Sequence, residues 1–126
     1  MITLIVCARR RQGMSQAEFE QYWWEKHAPL VRSIPEFMRH VRKYVLYKMA
    51  AGQTDANAFA STFFGGLSSY DGVGMLYFDS REAMLEAFSE PRYLEMIRPD
   101  EPKFLDLDGC LSFIANEWIV HDAIGK

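Results

Sequence analysis

Cysteine is scarce in this chain, and its scarcity removes the first set of chemistries. Cys7 and Cys110 stand far apart and in no Cys-x-x-Cys or Cys/His cluster, so two free buried thiols are expected, not a disulfide framework or a metal site. Long apolar runs are also missing. No window approaches the ~18 to 20 apolar residues that a membrane-crossing helix needs. The apolar start from Ile2 to Val6 is too short and too uncharged for a signal peptide, which makes a cytoplasmic location the expectation. Positive charge is not in excess: 14 Lys and Arg stand against 17 Asp and Glu, a net charge of −3, so nucleic acid is not an expected partner. There is no nucleophile-elbow serine, no phosphate-cradling glycine loop, no metal-binding cluster, no repeat and no low-complexity tract. Hydrolysis, phosphoryl transfer and metal catalysis are therefore disfavoured, and no cofactor is expected.

What is present is a rich supply of core. Apolar residues make up 49% of the 126 positions and aromatics 14%, with mixed charges at 25%, which points to one folded domain over residues 1–126. Ile2 to Ala8 reads as a buried strand that stops at Arg9, Arg10 and Arg11, a basic run that is either a solvated loop or the source of an arginine reaching over a pocket. Ser15-Gln-Ala-Glu18 matches a capping box and starts a helix. Phe19, Tyr22 or Trp23, Lys26 or His27, and Leu30 follow at helical spacing; Pro29 predicts a kink near Ala28, and Pro35 an end to any continuation through Ile34.

Phe37 to Met49 reads as a strand with imperfect alternation. Ala50 to Tyr70 is a long, aromatic, low-charge connection. Val73 to Phe78 is a strand, Asp79 or Ser80 caps a helix over Glu82 to Phe88, and Pro91 opens a second helical piece through Ile97. A short helical turn over Asp100 to Asp106 and a last strand over Leu111 to Val120 complete the order strand, helix, strand, strand, helix, strand. That order is the α+β ferredoxin-like arrangement, a four-stranded antiparallel sheet with two helices on one face. Its strands are apolar on both faces: Ile2, Leu4 and Val6 oppose Ile5 and Cys7, and Val73 and Met75 oppose Leu76 and Phe78. Helices cover one face only, so a homodimer packed through the other sheet face is expected.

The run Met14-Ser15, Glu18-Phe19, Tyr22-Trp23 and Lys26-His27-Ala28-Pro29-Leu30-Val31 resembles the signature of the EthD family of dimeric α+β barrel proteins. Arg10 or Arg11, Pro35, Tyr44, Asp71-Gly72, Asp79-Ser80, and Asp100-Glu101 with Phe104 and Asp106 fall in the family's order, so the resemblance spans nearly the whole chain. The Ala50 to Tyr70 stretch departs from shorter members. The resemblance implies a small-molecule protein: members are implicated in ether degradation beside a monooxygenase, and fungal relatives include decarboxylases and dehydratases of aromatic polyketides. It also places the family's shared histidine at His27.

Imidazole titrates near neutrality, so His27 is the expected proton shuttle, with a hydrogen-bonded core histidine as the alternative. Tyr22 or Tyr44 would stabilise a developing enolate or phenolate. Trp23, Tyr77 and Trp118 are expected as pocket wall, with Arg10 as a ligand-holding cation and Phe59, Phe63 and Phe64 as a lid. Tyr22 and Trp23 diverge by about 100° around the helix, so one packs while the other lines the pocket. Asp71 and Glu117 have no second carboxylate at a spacing that argues for a paired acid–base site. The expectation is cofactor-free acid–base chemistry, whether dehydration, decarboxylation, isomerisation or cyclisation, on an aromatic or polyketide-like ligand. A non-catalytic accessory protein that binds a hydrophobic small molecule is the alternative, followed by a haem protein with His27 as ligand.

Overall fold

The computed structural model describes residues 1–49, 62–65 and 69–125. Strand β1 (Ile2–Ala8) leads into helix α1 (Gln16–Tyr22). The capping box forms as its residues require: Ser15 Oγ accepts from the Glu18 N–H at 3.1 Å, and Glu18 Oε1 accepts from the Ser15 N–H at 2.8 Å. The helix then widens into a π turn (Trp23–His27), in which the Ala28 N–H reaches back to the Trp23 carbonyl, before α2 (Ala28–Arg32) resumes. Pro29 accounts for the widening: it has no N–H to give, and its ring would crowd the carbonyl of Glu25 four residues back.

The expected strand from Phe37 begins later. Pro35 opens a one-turn helix, α3 (Pro35–Met38), because its fixed φ suits the first helical position, and Phe37 is buried in the core by that turn. Strand β2 (Val41–Lys48) follows, then β3 (Gly72–Phe78) and helix α4 (Arg81–Ser89), capped by Ser80 Oγ on the Ala83 N–H. A second π turn (Tyr93–Ile97) again precedes a proline, Pro99, and gives way to a 3-10 helix (Arg98–Lys103). A short turn over Leu107–Gly109 leads to β4 (Leu111–Asn116). The last strand is four residues shorter than its apolar run, since β1 pairs Ile2 with Asn116 and offers little backbone beyond.

The four strands form one antiparallel sheet in the order β2-β3-β1-β4, which is the ferredoxin-like arrangement. Ile2, Leu4, Leu76, Phe78, Val41 and Tyr44 pack toward the helices, against Val31, Ile34, Phe37, Ala87, Tyr93 and Ile97. A second, aromatic cluster of Phe19, Trp23, Phe104 and Ala8 lies beside it. The opposite face carries Ile5, Val45, Met75, Tyr47, Leu111 and Phe113, and the last two and Tyr47 are about half exposed.

One irregularity in β2 decides which side chains reach the helix side. Val41 faces Phe78 and Lys43 faces Tyr77, so Arg42 is an extra residue, a β-bulge. Counted straight from Val41, Tyr44 would fall on the outer face; the bulge puts it opposite Leu76, on the helix side.

Candidate functional site

The sheet and helices part enough to leave a cavity of about 330 Å³. Its floor is Leu4, Val6, Gly74 and Leu76 from the strands. Trp23 and His27 come from the two ends of the first π turn, Tyr93 from the start of the second, and Arg98, Glu101, Phe104 and Leu105 from the chain after it. π turns recur at functional sites because they reset which side chains a helix presents. Here both of them border the same space.

His27 is 6% exposed and Asp100 8% exposed, and His27 Nδ1 lies 2.9 Å from Asp100 Oδ2. Tyr22 donates its hydroxyl hydrogen to Asp100 Oδ1 at 2.7 Å, and Lys103 Nζ stands 3.6 Å from the same oxygen. Burial pushes the Asp100 carboxyl up, but the Tyr22 and His27 hydrogen bonds, with the charges of His27 and Lys103, outweigh it and hold the group below the usual carboxylate value. An ionised Asp100 can only accept. The proton of a neutral His27 is therefore on Nδ1, and Nε2 is the basic nitrogen of a ring that lines the cavity. The ring is flanked by Phe104 at 4.7 Å between centroids.

Trp23 serves as scaffold and as cavity wall. Its indole lies over β3 so closely that a Cβ at Gly72 would meet it at 2.9 Å and one at Gly74 at 3.0 Å. Only glycine admits that approach without a shift. Tyr44 lines the cavity beside it, with its phenol pushed up to about 12 by burial first, Trp23 opposing and the charge of Glu101 adding to the rise. On the far wall, Glu101 accepts from Tyr93 Oη at 2.8 Å and from Arg98 Nη1 at 2.6 Å. Burial and Glu101 together push the Tyr93 phenol up.

Of the side chains expected at a site, His27, Trp23 and Tyr44 meet at this cavity. Tyr22 stands behind it on Asp100, stacked on Phe104, and resolves the Tyr22/Trp23 choice: Trp23 lines the wall while Tyr22 supports the carboxylate. Tyr77 lies on the outer face, one residue out of step with Leu76; Lys43 covers its ring and its hydroxyl donates to Glu117. Trp118 is 89% exposed beyond the end of β4, because the strand stops at Asn116. Arg10 is held by Asp71 and Gln16 at the β1–α1 connection, away from the cavity. Phe63 and Phe64 are exposed and do not line the cavity, and Phe59 lies outside the described residues.

The carboxylate that meets His27 is Asp100, which the sequence reading did not place at the site. It is 73 positions from His27, a separation that no local spacing rule can join. Its sequence marks are its place in the family's order and in Pro99-Asp-Glu-Pro102, where two prolines shape the tight turn that carries it. Glu101 and Tyr93 were missed in the same way. Among the described residues no group of three or more His, Cys, Asp or Glu side chains is placed to hold a metal ion, and no helix is long and apolar enough to cross a membrane.

A family model described as the EthD domain matches residues 11–108. The conidial pigment biosynthesis dehydratase EthD of Metarhizium robertsii is 32% identical over 106 residues, covering 84% of this chain and 75% of that protein. An ethyl tert-butyl ether d family protein of Bacillus halodurans has the same fold, with a TM-score of 0.65 at 19% identity over 94% of this chain and 99% of that one. A dimeric ferredoxin-like protein of unknown function from Thermobifida fusca aligns with a TM-score of 0.55 at 14% identity, over 90% and 88% of the two chains.

Proposed function

The chain belongs to the EthD family, and from that membership and the buried His27–Asp100 pair we propose that it is a cofactor-independent dehydratase of an aromatic, polyketide-like molecule. The dehydratase name of its fungal relative supports the reaction class. The observation that carries the reading is the hydrogen-bonded series Tyr22–Asp100–His27 ending on the cavity wall. Asp100 fixes the ring and stabilises the imidazolium that forms when Nε2 takes a proton, as in other His–Asp pairs.

Loss of water from a β-hydroxyketone needs those parts and no others. His27 Nε2 removes the proton on the carbon next to the carbonyl, and the electron pair moves onto the carbonyl oxygen as an enolate. Tyr44, kept as a neutral phenol by its environment, donates a hydrogen bond to that oxygen. The enolate collapses to a carbon–carbon double bond as the β carbon–oxygen bond breaks. The departing hydroxide takes the proton held on His27, so one water leaves and the histidine is restored. The apolar floor and the Phe104 ring keep bulk water off the ion pair formed midway.

The assay is loss of one water by mass spectrometry from an aromatic polyketide bearing a β-hydroxyketone. The His27→Ala variant is expected to fold normally, by circular dichroism, and to lose about 10² to 10⁴ in kcat. Full turnover by folded His27→Ala would remove this reading.

The same reading includes a homodimer joined through the outer sheet face. The half-exposed Leu111, Phe113 and Tyr47 and the dimeric Thermobifida fusca neighbour support it.

A further inference from the structure

Glu101 takes no part in the proton transfer, yet it lines the same cavity. Its oxygens each accept one hydrogen bond, from Tyr93 and from Arg98. A carboxylate offers about four acceptor positions, so capacity remains after those two are made. Charge in this turn is sorted by depth: the Glu101 side chain is 14% exposed, whereas its Arg98 partner is 54% exposed. Both partners line the cavity, but the acceptor-only carboxylate is the more buried of the two and the guanidinium is the more exposed to water. Tyr44 adds the complementary function. Tyr44 lines the same cavity, and its phenol hydroxyl can donate to a ligand oxygen there.

We propose that Glu101 is the specificity-determining residue of this cavity: it accepts a hydrogen bond from a ligand hydroxyl, beside Tyr44 donating to a ligand carbonyl, and so selects neutral hydroxylated aromatics over aromatic carboxylates. A hydroxyl satisfies the free acceptor positions of Glu101. A ligand carboxylate brings a second anion with no proton to give beside Glu101, so the like charges repel and the remaining acceptor positions of Glu101 stay unfilled. Sites built to hydrogen-bond a hydroxyl discriminate by this mechanism. The proposal rests on the reading of this cavity as the ligand site and names its substrate class.

Titration calorimetry at pH 7 with 2-naphthol and 2-naphthoate tests it on the whole protein. Wild type is expected to bind 2-naphthol at least about tenfold more tightly than 2-naphthoate, a difference of about 1.4 kcal/mol. Glu101→Gln keeps the size of the side chain and removes its charge, and is expected to bring the two affinities within about threefold of each other, by the same arithmetic. Glu101→Asp keeps the charge and is expected to keep the sign of the preference, which guards against misreading a folding defect. His27→Ala should lose turnover and leave the ratio unchanged, so failure of the proton-transfer scheme and failure of this proposal are separate results. A wild-type preference for 2-naphthoate would make Arg98 the ligand clamp and overturn the proposal. An unchanged ratio in Glu101→Gln, or no wild-type binding of 2-naphthol at millimolar concentration, would overturn it as well.

Discussion

Replacing Asp100 by Asn keeps the shape of the side chain but removes the charge that holds the His27 Nδ1–H and stabilises an imidazolium. The expected result is a fall in kcat of about 10² to 10⁴, with ligand affinity little changed, since general-base catalysis contributes on that scale. Stability should respond to pH at both extremes. The folded Asp100 carboxyl lies below its ordinary 3.8, so its contribution is present above that value and is lost as the pH falls through the lower folded one. Tyr22 is the opposite case: burial first, then the hydrogen bond and charge of Asp100, push its phenol from 10 up to about 12. Its contribution is complete below pH 10 and disappears as the pH rises toward 12. Tyr22→Phe should flatten that alkaline loss in denaturant melts and remove one late phase from the tyrosinate absorbance titration. His27 stands out in the sequence because an inward histidine near a proline is a local signal and because the EthD resemblance places the family's shared histidine there. The sequence left Tyr22 undecided because the partner that settles its role, Asp100, comes from a turn 78 positions away.

At the scale of elements, helices were easiest to read. The Ser15 capping box, the Ser80 cap and the irregularity ahead of Pro29, which is a π turn where a kink or break was the expectation, each depend on residues within a few positions of one another. The Phe37 to Met49 strand was misread at its start because Phe37 and Met38 have strand-like character while Pro35 and the burial of Phe37 favour one helical turn. Its imperfect alternation was itself the signature of the Arg42 bulge, visible as a flaw but not interpretable without the register against β3. Deleting Arg42 should restore even pairing while leaving Tyr44 opposite Leu76, on the helix side. The variant is expected to keep both the phenol that burial raises to about 12 and its four-stranded sheet, which tyrosinate titration and amide exchange would report; inserting a residue between Lys43 and Tyr44 instead should turn Tyr44 outward and abolish that late titration.

For the whole molecule, the two-faced apolar strands carry the dimer expectation, and a helical layer on one side leaves Leu111, Phe113 and Tyr47 needing cover. Sedimentation velocity at low micromolar concentration should return about twice the monomer mass, and Phe113→Asp should shift the boundary to the monomer with its helical spectrum intact. A wild-type boundary at 14.6 kDa would sink the idea. The order of elements was legible throughout because hydrophobic period and turn residues repeat at short range. The cavity was not, since its walls are drawn from residues spread between Leu4 and Ser112. Three of those walls share an arithmetic property. The bulge at Arg42, the wide turn Trp23–His27 and the wide turn Tyr93–Ile97 each hold one residue more than a regular strand or helix would. The site thus lies where three elements slip phase together, and its chemistry is encoded partly in residue number: with every side chain kept but β2 drawn into regular pairing from Val41, Tyr44 would pass to the outer face and the cavity would lose its phenol.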